Sequence, residues 1–148
     1  MTEPLSKRVK ASIAITTTNG AAGTSAINSA IIDMAGFEAV QFVIVFGAIV
    51  TGAVNSIKVQ QDDDSAGGTM EDITGTAQTI ADNADDKVFF CDLIRPAKRY
   101  VRMVVSRATQ NATVGSCLAL QYDPHEAPVT QGTNVTGELH IDKIAGTA

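Results

Sequence analysis

Glu38-Ala39-Val40-Gln41-Phe42-Val43-Ile44-Val45-Phe46-Gly47-Ala48-Ile49-Val50 decides the fold of this chain. Val40, Phe42, Ile44 and Phe46 fall on one face of an extended strand, and Gln41, Val43 and Val45 on the other. Side chains alternate across a strand, so this pattern predicts two mostly buried faces. Such a strand lies centrally in a sheet or against a neighbouring subunit. The apolar run from Ala39 to Val50 holds 12 residues. A membrane helix needs about 20, so no membrane partner is expected.

Period-two patterns flank this stretch on both sides. Ala11 to Thr17 alternates with Ile13 and Ile15 on one face, and Asn19-Gly20 follows as a turn signal. Ala26 to Asp33 reads as a short strand rather than a helix. Asn55 to Gln61 places Ile57 and Val59 inward, with Lys58 and Gln60 outward. A long acidic loop follows, with a short strand near Met70 to Ile73. Lys87 to Leu93 shares Phe89, Cys91 and Leu93 on one face. Arg99 to Arg107 turns Val101, Met103 and Val105 inward, and Val114 to Tyr122 aligns Leu118, Leu120 and Tyr122.

Composition agrees with these strands. Val, Ile and Thr number 14, 13 and 16 in 148 residues, against 5 Leu. β-Branched side chains suit a pleated surface, and helix formers such as Leu are scarce. The expectation is an all-β chain with a single β-sandwich or jelly roll at 11–123. Residues 1–10 form an N-terminal arm. Residues 124–148 form a C-terminal arm with one possible terminal strand, carrying Leu139, Ile141 and Ile144. An arm with apolar beads needs a surface to lie on, its own domain or a neighbour's.

Candidate chemistry is thin. Net charge is −5, which argues against nucleic acid as a partner, because phosphate neutralisation needs a basic face. Lys7, Arg8 and Lys10 are not followed by an apolar signal core, so synthesis in the cytoplasm is expected. Between Asp62 and Asp86 lie 8 of the 16 acidic residues. Asp62, Asp63 and Asp64 are weak Ca²⁺ candidates, but Ala66 and Ile73 occupy EF-hand ligand positions, and a solvated loop is the preferred reading. His125 and His140, the two histidines, both lie in the C-terminal arm. There is no G-x-S-x-G, Walker or H-E-x-x-H motif, so neither an enzyme nor a cofactor is expected. Cys91 and Cys117 lie on candidate strands, and a disulfide between neighbouring strands is the minority reading in a cytoplasmic product.

Arg95, Lys98, Arg99, Arg102 and Arg107 place 5 of the 11 cations within 13 residues. A solvated outer face is the plainer reading. The sharper one is an electrostatic interface with the acidic loop of a neighbour or an acidic patch elsewhere. The interface candidates are therefore Lys7, Arg8, Lys10, Arg99 and Arg102, with Leu139, Ile141 and Ile144 from the tail.

Several short segments carry a family resemblance. They are Ile32-Asp33-Met34-Ala35-Gly36-Phe37-Glu38 leading into Val40-Gln41-Phe42-Val43-Ile44, then Val59-Gln60-Gln61-Asp62-Asp63 and Ile73-Thr74-Gly75-Thr76-Ala77. Asp85-Asp86-Lys87-Val88 and Lys98-Arg99-Tyr100-Val101-Arg102 complete the set. Over about residues 27 to 123 the chain resembles the head decoration, or cement, proteins of tailed bacteriophages. The resemblance implies a jelly-roll-like virion component, often trimeric, made in the bacterial cytoplasm and bound to the major capsid protein on the capsid exterior. It carries over no contact residues. Two other functions fit a sandwich of this kind: a neck, tail or fibre-base component of the virion, and a lectin-like module for host glycans.

Overall fold

The computed structural model describes residues 3–140. After a 3-10 turn at Leu5–Lys7, ten strands follow. They are β1 (Lys10–Ile15), β2 (Ile27–Asn28), β3 (Ile32–Asp33), β4 (Phe37–Ile49), β5 (Val54–Asp62), β6 (Glu71–Asp72), β7 (Gln78–Ile80), β8 (Val88–Ile94), β9 (Tyr100–Ala108) and β10 (Ala112–Pro124). No α-helix occurs among the described residues, and no helix is long and apolar enough to cross a membrane.

Two antiparallel sheets form the sandwich. The first has the order β1-β10-β4-β8. The second runs β2-β9-β5-β6, with β3 also on β9 and β7 also on β5. Treating β2 with β3, and β6 with β7, as two interrupted strands leaves eight strands in two sheets of four. The antiparallel pairs are then first with last (β1 with β10), second with seventh (β2 and β3 with β9), third with sixth (β4 with β8), and fourth with fifth (β5 with β6 and β7). This nested pairing is jelly-roll winding.

The core fills the space between the sheets. Val40, Phe42, Ile44 and Phe46 are fully buried on β4, facing Ile57 and Val59 of β5 and Val101, Met103 and Val105 of β9. Phe89 of β8 meets Phe46 edge to face at a centroid separation of 5.8 Å. The alternation on β4, β5, β8 and β9 therefore runs as the sequence predicts.

Two expectations need correction, and a third gains its facing. The second face of β4 is not mostly buried: Val45 is exposed and Gln41 and Val43 are half-buried. On β1, Ile13 points outward and Ile15 inward, because a register shift between them flips the face. On β10, Leu118, Leu120 and Tyr122 are aligned, but on the outer side. Cys117, Ala119 and Gln121 occupy the inner side. Register shifts between Ala112, Val114 and Ser116 change the parity of the strand. Small residues then suit the inner side, because the phenylalanines of β4 already fill the core.

Ala26 to Asp33 is extended, as expected, but split. Ser29 interrupts it: its N–H donates to Met103 O, and its Oγ accepts the Met103 N–H. Gly20 is required by close approach rather than by a left-handed turn, since a Cβ there would collide with Val114 O.

Candidate interaction surface

The outer face of the β1-β10-β4-β8 sheet carries a run of outward apolar side chains. Strand register sets Ile13, Leu118, Val43 and Phe90 in one row across all four strands. Ile13 is 41% exposed, Leu118 39% and Phe90 59%. Val45 and Val88 pair in the row beyond Val43 and Phe90, and both are exposed. On the other side, Ala11, Leu120, Gln41 and Asp92 form the next row. Asp92 accepts hydrogen bonds from Tyr122 Oη at 2.6 Å and Gln41 Nε2 at 3.4 Å. That bond, with burial, pushes the Tyr122 hydroxyl up to about 12. Asp92 thus bounds the apolar rows with a satisfied polar edge. Contiguous outward apolar residues of this kind make this face a candidate interaction surface.

The described parts of the arms lie against each other and against β1. Gln131 supplies what a neighbouring strand would supply to β1. Its Oε1 accepts the Ala11 N–H at 3.1 Å, and its Nε2 donates to Val9 O at 2.6 Å and Ser6 O at 3.1 Å. Val129 N donates to Lys7 O. Between the two arms a groove of about 640 Å³ is lined by Leu5, Val9, Ala11, Leu120, Val135 and Leu139. Residues 125–140 contain no strand. Ile141 and Ile144, and the rest of the expected terminal strand, lie outside the described residues.

The cations from Arg95 to Arg107 are distributed rather than gathered. Arg99 makes a two-pronged bond to Asp33, both distances 2.8 Å, which raises the guanidinium pKa and holds the Asp33 carboxyl below its usual range. Arg102 Nε donates to Gln60 Oε1, and Lys98 pairs with Glu71. Arg95 and His125 both meet Glu38, at 3.2 and 2.7 Å. Asp33 and Glu38 belong to one shallow charged end of the sandwich, near a depression of about 440 Å³ lined in part by Arg95, Arg99 and His125. Arg107 is buried: Nε donates to Ser25 O, and Nη1 to Ala21 O and Ala112 O. Among the other interface candidates, Arg8 pairs with Glu3 and Lys10 is half-buried at the start of β1.

The acidic loop is organised around Asp62. This buried carboxylate accepts N–H bonds from Asp64 and Thr69 and the Thr69 hydroxyl. Those bonds, the Asp64 N–H first, outweigh burial and hold its pKa below 3.8. Asp64 turns to Ala66 N, and Asp63 is exposed. Among the described residues no three His, Cys, Asp or Glu side chains converge as a metal site. His140 meets Glu138, well separated in sequence from the His125–Glu38 pair.

Cys91 and Cys117 are both buried free thiols. Burial pushes Cys117 up to about 12. They sit on β8 and β10, with β4 between them. Two strand spacings, roughly 9.5 Å, exceed the span of a disulfide.

No protein-family model matches the chain. No curated protein matches it. Among solved structures, the chain is similar to the crystal structure of PBSX exported protein XepA, with a TM-score of 0.53 and 13% identity. The match covers 96% of this chain and 46% of that one, so this chain spans less than half of that protein's length. The likeness shows the fold.

Proposed function

We propose that this protein is a structural component of a tailed-phage virion, a head decoration protein that binds the major capsid protein from outside and stabilises the shell. The observation that carries the reading is the outward apolar row Ile13–Leu118–Val43–Phe90 on a rigid jelly roll. A surface of this kind meets another macromolecule, and it needs no chemistry to do so. The family resemblance of residues 27 to 123 supplies the capsid as that macromolecule. Fold likeness to the phage-related exported protein XepA supports the phage setting, though not the location on the head. Binding in many copies on a symmetric lattice lets each contact be modest.

Electron cryomicroscopy of virions made with and without the protein tests this. Density on the outer capsid lattice, lost without the protein, is the expected result. Density confined to a neck, tail or fibre base would move the protein to that part of the virion and end the decoration reading.

A further inference from the structure

We propose that β8 is a self-association edge, through which two copies of this chain pair antiparallel about a twofold axis and join their four-stranded sheets into one. The hydrogen-bond directions single out this strand. Lys87 O accepts the Phe46 N–H, and Arg95 N–H donates to Glu38 O. Antiparallel ladders alternate, so the odd residues from Lys87 to Arg95 bond β4. Val88, Phe90, Asp92 and Ile94 then aim their N–H and C=O groups at the open side. Among the described residues the one bond on that side, from a side chain, is Gln78 Nε2 to Phe90 O at 2.8 Å. A carbonyl has a second lone pair, so a neighbouring strand can still use it.

Side chains repeat the signal. Val88, Phe90 and Ile94 are exposed apolar residues on this edge. Edges are usually shielded by charge, proline, shortness or cover. β8 has seven residues, no proline and one charge, Asp92. On the opposite edge of the same sheet, at the start of β1, Gln131 takes the Ala11 N–H. The other sheet ends in strands of two or three residues.

Charge at the two ends of β8 fits a second copy as the occupant. Asp82, Asp85 and Asp86 precede the strand, with Lys87 the cation among them; Arg95 follows it, 80% exposed beside Glu38, while Lys98 and Arg99 are paired within the chain. A twofold antiparallel pair sets the acidic approach of one copy beside the basic exit of the other. Centred on Phe90, it places Phe90 opposite Phe90 and Asp85 of one copy opposite Arg95 of the other. Centring on Cys91 would face Lys87 with Arg95, and centring on Asp92 would face Asp92 with Asp92, both disfavoured by like-charge repulsion.

The inference stands apart from the decoration reading, because it is tested on the full chain without any capsid. Sedimentation equilibrium across a dilution series should show the 15.4 kDa mass doubling with concentration. Phe90→Lys should weaken the pairing at least about tenfold. Val88→Pro should do the same while leaving β4 pairing intact, since the N–H it removes points to the open edge. A mass that stays monomeric at every concentration would overturn the proposal. So would an oligomer, including the trimer implied by the family resemblance, that neither substitution shifts. A chain that dimerises through β8 but ignores capsids keeps this inference and sinks the decoration reading.

Discussion

Arg107 shows how much one side chain can hold. It is the inward residue after Val101, Met103 and Val105, where alternation expects a hydrophobe. Its guanidinium instead reaches three backbone carbonyls, at Ala21, Ser25 and Ala112, each at 2.7 Å. It thereby fixes the loop between β1 and β2, which has almost no large apolar residues of its own. Arg107→Met should cost about 3 kcal/mol, because the carbonyls lose a charged, forked donor. Arg107→Lys should recover only part. A urea midpoint that falls at constant slope would measure it. Asp62 plays the matching part in the acidic loop, and its role carries a pH sign. Its folded pKa lies below the ordinary 3.8, so the unfolded chain binds the proton more readily. The stabilisation is full above that ordinary value and is lost as pH falls through the lower folded value. The thermal midpoint of the native chain should therefore exceed that of Asp62→Asn at neutral pH, and the gap should close in acid. A gap independent of pH would show that the charge of Asp62 does not hold the loop. Neither role was legible in the sequence, where Arg107 looked like one of five clustered cations and Asp62 like one of three equivalent aspartates.

At the scale of elements, strand existence was legible and strand facing was not always so. Ile57 and Val59, or Phe89 and Cys91, declare their face because nothing interrupts their period. β10 hides its face, because bulges near Val114 and Ser116 leave Leu118 and Leu120 outside while small residues go in. β2 and β3 are too short to carry a period, and β9 holds each by two residue pairs. The arms are the least legible of all. Nothing in the tail's sequence marks Gln131 as the residue that closes the β1 edge. Removing its amide leaves the Ala11 N–H and the Val9 O without their partner. Gln131→Ala should cost about 1–2 kcal/mol. Amide exchange at Ala11 should speed up while that of β4 stays slow, since local opening need not involve the core. Uniform acceleration would mean that the arm is part of the global folding unit.

Across the whole molecule, charge and apolar surface have separated. The basic residues that invited an electrostatic interface are mostly engaged within the chain, Arg99 with Asp33, Lys98 with Glu71, Arg102 with Gln60 and Arg107 with backbone. The outer sheet face carries Ile13, Val43, Leu118 and Phe90 with no cation in that row. Binding to a capsid through this face, as proposed, should therefore resist salt. Exposed charge pairs lose most of their attraction once the screening length falls to a few Å, near about 3 Å at 1 M salt, whereas apolar burial does not weaken this way. Leu118→Lys places a charge at the centre of the row, and Leu118 is already partly exposed, so folding should be little affected. Capsid binding by this variant should fall at least about tenfold, as expected for a central contact residue. Titrating undecorated heads with native and variant protein at low and high salt separates the two surfaces. Binding that collapses with salt but tolerates Leu118→Lys would transfer the contact to the charged end around Asp33, Glu38, Arg95 and His125.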